Sequence, residues 1–153
     1  MVRRSAERWV RVTSLVLCLA GLGVATYLTL REYLPGSVPL PCSDRGRLNC
    51  QAVLTSPYSR FAGMPVADLG VLFFVVMLLL CLPAAWRTQM TAVHQVRLAA
   101  VWAAMAMVLY LLYAQLFDVR ALCLYCTATH VIAFLLFVVV LAGAHLRRLR
   151  LAR

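Results

Sequence analysis

Two pairs of cysteines are the residues of this chain best suited to chemistry. Cys123-Leu-Tyr-Cys126 stands at the head of an apolar run from Ala121 to Leu146. Residues at i and i+3 share one face of a helix, and C-x-x-C is the usual spacing of a reversible dithiol/disulfide. Cys42 and Cys50 form a second candidate pair in a stretch rich in Pro, Gly, Ser and Asp. Thiolate attack on a disulfide passes electrons between two such pairs through a mixed disulfide. A redox pair set into a membrane has few acceptors within reach, and a lipid-soluble quinone is the first to consider.

The elements that must position these cysteines are apolar helices. The chain has 153 residues, 64% apolar and 13% charged, against about 25% charged in a soluble domain. Crossing a bilayer takes roughly 20 apolar residues, and four runs approach that length: Trp9 to Leu30, Leu69 to Trp86, Val96 to Phe117, and Ala121 to Leu146. They predict an all-α integral membrane protein, a bundle of four transmembrane helices with a long external loop between the first two. One domain over residues 1–153 is expected, because the runs leave no room for a soluble one. Within the loop, Glu32 to Pro65, a short surface helix is expected over Cys50 to Tyr58, and Pro65 suits a first helical turn.

Net charge is +10 and every basic residue is arginine. Arg3, Arg4, Arg8, Arg11, Arg87, Arg97, Arg147, Arg148, Arg150 and Arg153 fall on one side of a four-span topology. Arg31, Arg45, Arg47, Arg60 and Arg120 fall on the other, with Glu32, Asp44, Asp68 and Asp118. The excess of arginine puts both termini in the cytoplasm, and the same placement argues against nucleic acid as the partner of the basic tails. The first apolar run is too long for a secretory signal, and Arg31-Glu32 rather than a small-residue cleavage site follows it.

By this topology Cys42, Cys50, Cys123 and Cys126 lie on the external, oxidising side, where disulfides persist. Cys123 and Cys126 occupy about the first turn of their helix, where the dipole favours a thiolate. Cys18 and Cys81 lie away from the other four and read as small hydrophobes. Two static disulfides are the bland alternative, though an i, i+3 bridge closes too short a loop to stabilise much. A four-cysteine zinc site needs reduced thiols, which the external side disfavours.

These residues resemble a known family. Cys42 and Cys50 with seven residues between them, Val53-Leu-Thr-Ser56-Pro-Tyr58, Phe61-Ala-Gly63-Met-Pro65, Leu69-Gly70 and the later Cys123-Leu-Tyr-Cys126 are similar to the vitamin K epoxide reductase family over nearly the whole chain. The resemblance is to a bacterial homologue without a fused thioredoxin-like domain. It implies a four-helix bundle around a quinone, menaquinone or ubiquinone, with the loop capping the pocket. It implies a separate periplasmic thioredoxin-like thiol oxidase as partner and the bacterial plasma membrane as location. By the same resemblance Cys126 is the cysteine nearest the quinone, Cys123 exchanges with the loop through Cys50, and Cys42 meets the partner. Ser56 matches a serine near the pocket mouth.

Two positions depart from the family. Val66 stands four before Gly70, where asparagine is common and bonds a quinone carbonyl. His130 stands four after Cys126, where the animal enzyme has tyrosine. Both weigh against direct vitamin K epoxide chemistry. Asp68 at the mouth of helix two and His130 on the face of Cys126 are the available replacements for proton transfer or hydrogen bonding; a helix cap and a buried histidine bonded to a neighbouring helix are their structural alternatives. Tyr110, Tyr113 and Phe117, at helical spacing, suit packing or lipid contact better than the pocket.

The sequence thus points to a quinone-dependent membrane thiol oxidoreductase that forms disulfides. Its catalytic residues are Cys42, Cys50, Cys123 and Cys126, its quinone contacts Ser56, Val66, Asp68 and His130, and no metal is expected. Reduction of a vitamin K-type quinone or its epoxide is the alternative within the class. A non-enzymatic membrane module with structural disulfides is the alternative outside it.

Overall fold

The structure, a computed structural model, describes residues 2–39, 42, 44–45, 47–88 and 90–151, with side chains for all of these except 2–7, 44–45, 87 and 150–151. Leu40, Pro41 and Arg153 lie outside the described residues, as do the side chains of Arg3, Arg4, Asp44, Arg45, Arg87 and Arg150 that entered the charge argument.

Helix α1 (Val2–Tyr33) leads into a connection with strands β1 (Asp44–Arg45) and β2 (Leu48–Asn49), helix α2 (Cys50–Leu54), a 3-10 turn (Pro57–Ser59), and strands β3 (Arg60–Phe61) and β4 (Met64–Pro65). Helices α3 (Val66–Leu80), α4 (Pro83–Arg87) and α5 (Thr91–Tyr113) follow, then a π-helical turn (Ala114–Asp118) and α6 (Leu124–Leu151). Helix α1 packs against α3 and α6, and α5 packs against α6 and α3. The seam between them buries Cys18, Ala25, Phe74, Met77, Val101, Leu136 and Val140. Helix α1 comes close to α3 because Gly21 has no Cβ: one placed there would lie 2.2 Å from the Phe74 ring. Leu19, Trp102, Leu109 and Val138 point outward and are exposed, an apolar exterior suited to lipid.

Among the described residues, three helices are long and apolar enough to cross a membrane: Arg8–Tyr33, Thr91–Asp118 and Leu124–Leu149. The expected second span is not continuous. Helix α3 has 15 residues, about 22 Å of rise, and the chain breaks at Cys81 and Leu82 before α4. Pro83 is the cause. Its ring disfavours helical backbone at the preceding residue, and Leu82 adopts φ −55°, ψ 147°. Arg97 does not stand at the start of the third helix, as the run from Val96 suggested. Helix α5 begins at Thr91, and Arg97 is buried within it. Its Nε donates to the Leu80 carbonyl at 3.0 Å, an Nη donates to the same oxygen, and Nη2 reaches the Ala85 carbonyl at 3.3 Å. Its guanidinium lies 3.8 Å from the centroid of the Trp86 ring. Arg97 thus serves carbonyls near the break, where an ending helix leaves orphans.

The connection carries two small antiparallel ladders that an all-helical expectation omitted. Between β3 and β4, Ala62 and Gly63 have φ of +50° and +84°, the pattern of a two-residue hairpin turn. Pro65 is consequently the N-cap of α3 rather than part of its first turn. Cys18 and Cys81 sit together in the helical core, a proximity that the apolar runs did not indicate.

Candidate functional site

The site forms where the α1–α3 connection meets the turn before α6, and main-chain hydrogen bonds join them. Leu122 N–H donates to the Arg47 carbonyl at 2.7 Å, and Asn49 N–H donates to the Leu122 carbonyl at 3.1 Å. Leu48 and Leu122 form a parallel β-bridge. The next residue on each strand is a cysteine, Cys50 on one side and Cys123 on the other. Asn49 also caps α2, its Oδ1 accepting Ala52 N–H at 2.9 Å, so Cys50 is fixed as the first residue of that helix.

Cys42 and Cys50 are joined as a disulfide with a Cα–Cα distance of 6.0 Å. Cys123 and Cys126 are free thiols. Cys50, Val53, Ala121 and Cys123 form one buried cluster, with Cys42 and Cys126 packed against it. All four candidate catalytic cysteines therefore share one site. Cys123 directly precedes α6, and its sulfur accepts Cys126 N–H at 3.2 Å, the bond a capping side chain makes. Stabilisation by the Cys126 thiol, aided by the backbone N–H groups of Cys126 and Tyr125, pulls the Cys123 thiol below its ordinary value despite burial.

Cys126, not Cys123, lines a cavity of about 90 Å³ that is walled by Val53, Ser56, Val66, Gly70, Gln115 and His130 among others. A second cavity of about 330 Å³ continues between α3, α5 and α6, and the two share Val66, Gly70, Leu111, Thr129 and His130. The lining is mostly apolar, the usual character of a small-molecule site. Two buried polar atoms on its wall have no hydrogen-bond partner among the described residues: Gln115 Oε1 and His130 Nδ1. A ring bearing carbonyl oxygens with an apolar tail fits this arrangement. Among the described residues, no group of three or more His, Cys, Asp or Glu is placed to hold a metal.

Three of the four expected quinone contacts reach the cavity. Ser56 lines it, its hydroxyl donating to the Val53 carbonyl at 2.7 Å. Val66 and His130 line it as well. Asp68 does not. Its carboxylate accepts from Thr29 Oγ1 at 3.1 Å and from Tyr33 OH at 2.7 Å, so it ties α3 to α1 instead. Tyr110, Tyr113 and Phe117 are exposed on α5 and the π-helical turn. Gln115 lines the cavity and was not anticipated. The available signal was a lone carboxamide in an apolar run, a costly placement in lipid that asks for a reason.

A model of the Vitamin K epoxide reductase family matches residues 12–141 of this chain. The chain belongs to that family. The matched segment holds all four site cysteines and every residue of the cavity wall. Membership makes this vitamin K epoxide reductase family protein an integral membrane oxidoreductase, linked in general to a quinone and a thiol redox partner.

Proposed function

We propose that the protein oxidises the dithiol of a separate thioredoxin-like partner and passes the electrons to a membrane quinone. The observation that carries this reading is the order of the sulfurs. The Cys42–Cys50 disulfide touches the cluster that holds Cys123, and Cys126 alone of the four lines the cavity. A partner thiolate attacks the Cys42–Cys50 disulfide at Cys42, which is less buried than Cys50. The partner leaves as a disulfide and the loop as a dithiol. Cys50 then attacks Cys123 of an oxidised Cys123–Cys126 pair, restoring the loop disulfide and leaving the helix pair reduced.

A quinone held in the cavity accepts two electrons and two protons. Cys126 faces it as the donor sulfur, and the pair closes to a disulfide again. His130, one turn further along α6, holds a proton within the same cavity. The larger cavity suits an isoprenoid tail. In the membrane we place α3 and α4 together as the second of four crossings, both termini in the cytoplasm and the cysteine site on the external side of a bacterial plasma membrane, as the arginine distribution supports.

The test uses purified protein in lipid discs with a reduced thioredoxin-like dithiol and a short-tailed ubiquinone. Cys126→Ala is expected to abolish quinone reduction while its loop still exchanges with the dithiol. Quinone reduction by Cys126→Ala at the wild-type rate would overturn the mechanism.

A further inference from the structure

Gln115 is held in place by backbone bonds on both sides of a π-helical turn. Val119 N–H donates to the Ala114 carbonyl at 2.8 Å, five residues back, and Ala121 N–H donates to the Gln115 carbonyl at 3.1 Å. Each π-type turn takes in an extra residue and rotates the side chains that follow, and such turns are frequent at functional sites. Here Ala114 and Gln115 turn inward together, Gln115 only 4% exposed, whereas Tyr113 before them and Leu116 after them are exposed. The second bond runs to Ala121, two residues before Cys123, so one short stretch of main chain sets both residues.

The side chain is turned inward at a cost. A buried carboxamide oxygen without a partner loses the hydrogen bonds it would have in water, and Gln115 Oε1 has none among the described residues. The cavity it lines also contains Cys126 and His130. A pure hydrocarbon in that space would leave the oxygen unpaired. A carboxamide both donates and accepts. Its Nε2–H can donate to a ring carbonyl, and its Oε1 can accept from the hydroxyl of the reduced ring.

We propose that Gln115 is the residue that recognises a ring oxygen of the bound quinone and holds the headgroup beside Cys126. This rests on the quinone reading above and assigns a contact to a residue outside the cysteine pairs. The carboxamide suits both redox states of the ring, so one residue retains the substrate and steadies the product until it leaves. It is a binding residue; no electron passes through it.

The test compares wild-type protein, Gln115→Leu and Gln115→Asn in lipid discs with a one-isoprene ubiquinone as the probe. Binding is read from the ligand-induced thermal shift, and the quinone carbonyl stretch from infrared difference spectra. In wild type one carbonyl band moves to lower frequency on binding. Gln115→Leu is expected to remove that displacement and weaken binding about five- to tenfold, the loss of one hydrogen bond. Gln115→Asn, with a shorter reach, is expected to fall between the two. The same band and affinity in Gln115→Leu would overturn the role of Gln115 alone. If Gln115→Leu does not fold, an unchanged band and affinity in Gln115→Asn does the same. Wild-type protein that bound no quinone would overturn the quinone reading together with this proposal.

Discussion

Asn49 N–H donates to the Leu122 carbonyl at 3.1 Å, and the residues that follow these two are Cys50 and Cys123. Together with the bond from Leu122 N–H to the Arg47 carbonyl, this bond brings Cys50 and Cys123, far apart in the sequence, into one buried cluster. Asn49 makes a second contribution through its side chain, which caps α2.

Asn49→Ala is expected to slow exchange between the two cysteine pairs. Losing an N-cap costs about 1 kcal/mol, here spent on the five-residue helix that begins at Cys50. We expect several-fold slower reduction of oxidised Cys123–Cys126 by the loop dithiol, with quinone affinity unchanged. Stopped-flow mixing followed by acid quench and thiol counting measures this. Wild-type exchange in the variant would show that the cap does not position Cys50.

The pH dependence of exchange should report the depressed thiol of Cys123. Its largest cause is stabilisation by the Cys126 thiol. A lowered value keeps Cys123 as thiolate to more acidic pH than the usual midpoint near about 8.5. The rate at which Cys123 attacks the loop disulfide should be flat above the depressed midpoint and fall as pH drops through it. In Cys126→Ala, where only the mixed disulfide with Cys50 forms, the midpoint should move upward. A midpoint that stays the same in the two proteins would contradict this assignment.

Asp68→Ala should weaken the fold and spare the cavity. The carboxylate receives hydrogen bonds from Thr29 and Tyr33, and their loss is expected to cost about 1–2 kcal/mol. A lower thermal midpoint with an unchanged KM for quinone is the expected result, read by thermal unfolding and steady-state kinetics. A large rise in KM at an unchanged midpoint would return Asp68 to the pocket.

Much of the architecture was legible in the sequence. The apolar runs mark α1, α5 and α6, though not their ends, because lipid demands length and apolarity together. The interruption of α3 was less legible. Leu69 to Trp86 is apolar throughout, and hydropathy outweighed the local signal of Pro83. The start of α5 was misjudged for the opposite reason, since Thr91, His94, Gln95 and Arg97 look like loop until Trp86 and the Leu80 carbonyl supply partners for the guanidinium. The cysteines stood out by residue type and spacing. Their contacts did not, because the bonds that join residues 47, 49 and 122 are made by peptide groups that every sequence possesses. Asp68 was legible as a costly carboxylate, but its partners lie on another helix, 35 and 39 residues away. Gln115 was the hardest to see, since its inward direction depends on a π-helical turn that no residue type announces.

The strap between residues 47–49 and 122 uses only main-chain atoms. Arg47, Leu48 and Leu122 can therefore be exchanged for most other residues without parting Cys50 from Cys123, provided that no proline removes the amide at 49 or 122. The neighbourhood of the sulfurs is thus written in the backbone and leaves the side chains beside it free to vary.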